Sequence, residues 1–278
     1  MQYLAHLFSY HFMQHALLAC LLASIGCGMM GTYVVVKRIG FLAGGIAHSV
    51  LAGMGIAYFL GQSPLLGATL TALLSGILIG WINLRSSQNE DILIATFWSV
   101  GMAIGIIFIS RTEGYSVDLM SYLFGNILLV STRDLYLMLL LDMVILLLIG
   151  SFYRFFLATA FDEEFSRLRG INTNFYYILL LSMVALTVVL LIQVVGLILV
   201  LALLILPAAT ASLYVASIRR IMMLAVLFSL FLTVTGLIVS YEPDLPSGST
   251  MVIFAGIFYL MSLSTRSIIK KAMTKKSG

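Results

Sequence analysis

The stretch KRIGFLAGGIAHSVLAG, from Lys37 to Gly53, sets one imidazole, His48, among residues that otherwise carry no charge beyond the leading Lys37/Arg38 pair. A helix starting near Gly40 would carry His48 about 12 Å from that basic pair at the helical rise. In a hydrocarbon layer that depth is close to the middle. An ionisable group there is costly unless it faces a partner or a watery cavity. Two uses fit. The neutral ring can ligate Zn²⁺ or another first-row cation, or it can donate to a carbonyl of a neighbouring helix and serve packing alone. Gly44 and Gly45, one turn earlier, would let the helix flex or its backbone approach a neighbour closely.

Asp142, in LYLMLLLDMVILLLIG, is the second deep charge. It either lines a pathway or sits protonated in a helix contact. His11 and His15 are four apart and share a helix face, a spacing that can bind metal. They fall at the outer membrane boundary, where an imidazole is cheap, and the structural reading leads; His6 is uninformative. Cys20 and Cys27 stand seven apart on one apolar segment, and nothing around them suggests a disulfide or thiolate metal site. They read as small, buried and inert. There is no nucleotide-binding P-loop, no HExxH, no GxSxG and no carboxylate cluster at catalytic spacing. The chain is therefore read as no enzyme, with any driving energy supplied by another protein.

The elements that position these residues are set by the bilayer. Of 278 residues, 62% are hydrophobic and 9% charged, and mean hydropathy is +1.12, against roughly 25% charged residues in a soluble domain. Apolar runs at 13–36, 40–61, 64–83, 92–110, 134–156, 175–194, 197–216, 220–241 and 250–266 approach the ~20 residues that span ~30 Å of hydrocarbon. The fold class is all-α: a polytopic transmembrane bundle of eight to nine spans forming one domain over 1–278. The count is eight if the weakly delimited first run does not cross. The net charge of +4 sits at span ends rather than in a patch, which excludes a nucleic-acid partner and fixes orientation. Lys37/Arg38, Arg85, Arg154, Arg167, Arg169, Arg219/Arg220 and the tail from Arg266 to Lys276 all fall inside when crossings alternate from an outer N-terminus. Only Arg111 and Arg133 fall outside. No cleavable signal peptide is expected, because no charged residue precedes the first apolar run.

Two connections are long. Arg111–Asp134 has an apolar middle and predicts a short helix in or dipping into the membrane from outside. TAFDEEFSRLRGINTN, Thr159–Asn174, predicts a short cytoplasmic helix. Asp162, Glu163 and Glu164 lead it and Arg167 and Arg169 close it, matching the helix dipole, with Gly170 as its stop. It reads as a docking point or, more plainly, as a solvated loop. Dense small residues in GCGMMG and AGGIAHSVLAGMG predict close helix packing. Pro207, in LALLILPAATA, interrupts a span, frees a carbonyl and predicts a kink.

The order YVVVKRIGFLAGGIAHSVLAG, DLMSYLFGNIL, FDEEFSRLRGIN, VVGLILVLALLILPAATA and DLPSGSTMV resembles the membrane permease subunits of the bacterial zinc/manganese/iron ABC importers. The resemblance covers nearly the whole chain. It implies a fold similar to that of the vitamin B12 and siderophore importers, in the bacterial cytoplasmic membrane. It also implies a second copy of the chain, two cytoplasmic ABC ATPases and an extracytoplasmic metal-binding protein, with no permanently bound cofactor. Phe161, Asp162, Glu163, Glu164, Phe165, Arg167, Arg169 and Gly170 then resemble the helix that seats in a groove of the ATPase. Many members of that family carry Asp four residues before the histidine, in a pattern like GDAISHA, and the pair is thought to contact the passing metal. Here that position is Gly44. His48 carries over as a pathway ligand and the carboxylate does not, which leans the cargo towards zinc. A Mn²⁺/Fe²⁺ permease of the same family, or a permease for haem or a siderophore, are the alternatives.

Overall fold

The computed structural model describes residues 10–85, 90–112, 123–197 and 199–274, with 90 and 267–274 as backbone only. Apolar runs with no water to satisfy their backbone must close their own hydrogen bonds, and the described residues accordingly form helices and no strand. They are α1 (His11–Val36), α2 (Gly40–Phe59), α3 (Pro64–Arg85), α4 (Glu90–Ser110), α5 (Thr132–Phe161), α6 (Glu163–Leu168), α7 (Thr173–Val195), α8 (Val200–Tyr214), α9 (Ile218–Tyr241) and α10 (Ser247–Thr274). Eight are long and apolar enough to cross a membrane; α8 is the shorter ninth.

Two ends are defined by contacts. Lys37, Arg38, Asn83, Asp91, Glu163 and Tyr177 gather around one cavity, and Arg167 Nε donates to Thr173 Oγ1 at the start of α7. At the opposite end Gln193 Nε2 donates to Asp134 Oδ1 and Phe12 stacks on Tyr241. Arg219 and Arg220 begin α9, whose far end is Tyr241. These basic residues therefore share one end, as the alternating topology requires, and Arg111, just past the far end of α4, and Arg133 stand at the other. That basic end faces the cytoplasm.

Helices apolar on every side belong inside a bundle, and α2 and α7 are the most enclosed, while α4 and α10 are outermost. Helix α2 packs on α3 and α4, α3 on α7, and α1 on α8 and α9. Polar side chains tie some of these contacts: Ser24 Oγ meets Thr233 Oγ1 between α1 and α9 at 3.3 Å, and Ser49 Oγ donates to Ser75 Oγ between α2 and α3 at 2.8 Å.

The run expected at 197–216 is shorter as a helix. Gly196 closes α7 with φ 78°, a left-handed turn that glycine takes without a steric cost. A Cβ there would strike Phe124 and Gly125 of the outer segment. Helix α8 resumes only at Val200, and its 15 residues span about 22 Å, short of a bilayer. Pro207 lies inside it and cannot donate to the carbonyl four residues back, that of Leu203. The Cys27 thiol of α1 donates to that carbonyl instead. Cys20 and Cys27 are both buried and unbridged.

Of the long outer connection, residues 113–122 lie outside the described residues, as does His6. Its described part holds a 3-10 turn, Ile127–Leu129, capped by the Asn126 side chain.

Candidate metal-ion site in the membrane helices

His48 sits on α2, 8% exposed. Its ring lies against the Trp98 indole of α4, centroids 3.8 Å apart and planes within 13°. Its Nδ1 is buried and has no hydrogen-bond partner. The room for the indole comes from Gly44: a Cβ there would stand 3.3 Å from Trp98 Cζ3 and 3.2 Å from Leu201 Cδ1 of α8. Gly45 performs the same service on the next face, where a Cβ would stand 3.1 Å from Ile94 Cγ2. The two glycines thus allow close approach of α4 and α8 to the histidine's own turn. An apolar cavity of about 470 Å³ borders the site, lined among others by Val34, Gly44, Trp98, Leu201 and Ile205, and opens beside Arg38 and Phe41 near the cytoplasmic end.

Trp98 was not singled out by the sequence reading, although a signal existed. Tryptophan concentrates at the two membrane interfaces, as Trp81 does here with Arg85 stacked 4.3 Å over its ring. Trp98 is eight positions from the cytoplasmic start of α4, the same count that separates His48 from the start of α2. Equal depth on helices that pack together marks them as neighbours.

Asp142 is not brought to His48. It sits on α5, 2% exposed, with both carboxyl oxygens unpartnered. Gly26 of α1 makes room for it, since a Cβ there would stand 3.0 Å from Oδ1, beside Leu190 and Thr187 of α7. His11 and His15 meet edge to face at 5.1 Å at the outer end. Among the described residues no three His, Cys, Asp or Glu side chains converge as a metal cluster.

At the cytoplasmic end, α6 is built as a separate small unit. Asp162 caps it by accepting from Phe165 N at 2.9 Å, Glu163 pairs with Arg167 at 2.9 Å, and Gly170 stops it with φ 78°. Phe161, the last residue of α5, and Phe165 and Leu168 of α6 are 71%, 51% and 83% exposed. Lys37, at the turn leading into α2, donates to Thr159 O at 3.1 Å. Burial pushes the Lys37 ammonium below the usual lysine range and nearby Glu163 pushes it back up. The turn leading into the histidine helix is thereby joined to the end of α5, just before α6.

Eight helices long and apolar enough to cross a bilayer, packed as one bundle, define a multi-pass membrane protein. The chain belongs to the ABC 3 transport family, which it matches over residues 9–266. A probable metal transport system membrane protein of Chlamydia pneumoniae is 40% identical over 255 residues, covering 90% of this chain and 87% of that one. The manganese transport system membrane protein MntC of Halalkalibacterium halodurans is 34% identical, covering 92% and 88%. PsaBC from Streptococcus pneumoniae, solved in complex with Fab, superposes with a TM-score of 0.85 at 35% identity, covering 94% of both chains. The chain is a transport subunit of the cytoplasmic membrane rather than an enzyme.

Proposed function

We propose that the chain is the permease of an ATP-driven importer of a divalent transition metal, with Zn²⁺ as cargo and His48 as the ligand in its path. The observation that carries this is the buried Nδ1 of His48, left without a partner on a helix whose glycines draw its neighbours close. A structural histidine would spend that nitrogen on a hydrogen bond, since an unpaired buried polar atom is costly. A borderline nitrogen with no carboxylate beside it suits Zn²⁺ better than a harder ion. Manganese is the second reading, favoured by the name of the relative from H. halodurans. A second copy of the chain, two cytoplasmic ATPases and an extracytoplasmic metal-binding protein complete the machine. The exposed apolar residues of α6 are what a docking helix offers an ATPase groove, and Lys37 relays its movement to α2. Asp142, set among apolar atoms, stays outside the path.

The test is ATP-dependent uptake by the reconstituted complex, with Zn²⁺ measured against Mn²⁺ and Fe²⁺. His48→Ala assembles normally and loses at least tenfold in uptake, while Asp142→Asn transports as the parent does. Parental Zn²⁺ uptake by His48→Ala overturns the ligand assignment, and preference for Mn²⁺ overturns the metal.

A further inference from the structure

We propose that Trp98 is a positioning residue for His48, its indole fixing the plane of the imidazole so that the unpartnered nitrogen is presented to the ion. This rests on the reading of His48 as a ligand. Ligating histidines are ordinarily oriented by a hydrogen bond from the other parts of the site, typically to a carboxylate or carbonyl. Among the described residues neither ring nitrogen of His48 is hydrogen-bonded, so the nitrogen that does not ligate has no such anchor and the ring must be oriented by packing. The stack does so. At 3.8 Å and 13° the indole covers one flat face of the imidazole, and rotation out of that plane would drive the ring edge into it. Imidazole lone pairs lie in the ring plane, so face stacking restrains the ring and leaves its nitrogen free to ligate. A flat aromatic does both without bringing a charge.

The surroundings are shaped for the same end. Gly44 leaves the slot in which the far edge of the indole lies, and Leu201 of α8 closes that slot. The apolar cavity bordered by Val34, Leu201 and Ile205 adjoins the indole. Trp98 is thus held by α2 and α8 while belonging to α4, and a shift between these helices would change the ring's aim.

The experiment uses the full chain, alone and in its reconstituted complex. The sequence has two tryptophans, so Trp81→Phe leaves Trp98 as the sole emitter in the purified chain, with Co²⁺ as the probe ion. The expected results are saturable quenching of Trp98 by Co²⁺, its loss in His48→Ala, and an emission change on that substitution alone. In transport, Trp98→Leu keeps apolar bulk without a flat face and lowers uptake at least tenfold at unchanged assembly and melting temperature. Trp98→Phe restores most of it. Quenching that depends on His48 together with parental uptake by Trp98→Leu overturns the positioning role and leaves His48 standing. Absence of quenching with parental uptake by His48→Ala overturns the ligand reading itself. Should Trp98→Leu fail to assemble, the sole-tryptophan chain decides: emission indifferent to His48→Ala overturns the proposal.

Discussion

A single hydrogen bond shows how this bundle settles groups that lipid will not. Pro207 strips Leu203 of its helical donor, and the Cys27 thiol, fully buried on α1, supplies another. A thiol is a weak donor, yet in a place without water it is the donor at hand. Cys27→Ala leaves that carbonyl unpaired and should cost about 1 kcal/mol, the low end for an unsatisfied buried group. Cys27→Ser, with a stronger O–H, should melt close to the parent. Thermal unfolding of the purified protein checks both, and an alanine variant as stable as the parent would show that the bond contributes nothing. The same residue-scale logic separates His48 from Asp142: both are deep and both are unpartnered, but only the imidazole lies among helices brought close by glycines 44 and 45.

Between helices, glycines decide how close the axes come, because burial in lipid offers no hydrophobic gain to force association. Gly53 of α2 faces Gly67 and Thr71 of α3, and any Cβ at 53 would overlap the Gly67 carbonyl and the Thr71 hydroxyl. Gly53→Val should therefore destabilise by about 1–3 kcal/mol or prevent folding, as overpacking does. Gly150 of α5 has no atom within 4 Å of its would-be Cβ, and Gly150→Ala should gain about 0.5–1 kcal/mol from helix propensity. Folded yield and melting temperature distinguish the two; equal behaviour would refute the packing argument. Helix α6 makes the contrasting case, with apolar side chains turned outward. Leu168→Asp should leave the melting temperature unchanged, since the residue is 83% exposed, while abolishing co-purification with the ATPase. Retained co-purification would move the docking site off α6.

For the whole molecule the basic end and the opposite end are fixed by contacts as well as by charge. A cysteine placed at Leu168 should react with an impermeant thiol reagent only from the cytoplasmic side, and one at Ser63, between α2 and α3, only from outside. Native Cys20 and Cys27 should stay silent in the folded protein, being buried. Reaction of a cysteine at Ser63 from the cytoplasm would reverse the orientation.

Much of this architecture is legible locally. Hydrocarbon obliges each crossing to satisfy its own backbone within ~20 apolar residues, so span lengths, the ends marked by Lys37/Arg38, Arg167 and Arg219/Arg220, the deep His48 and the capped, charged α6 could all be read one segment at a time. Neighbours could not. Outside and inside of a membrane bundle are equally apolar, so no periodicity announces which face of α4 meets α2, and the matching depths of Trp98 and His48 do not by themselves bring the indole onto the imidazole. The Cys27 to Leu203 bond joins positions 176 apart. The shortness of α8 comes from Gly196 lodging against Phe124 and Gly125. The separation of His48 from Asp142 follows from α2 packing on α3 and α4 while α5 packs on α1 and α7. These are facts of proximity, and only the tertiary structure, by choosing which small residues meet, could decide them.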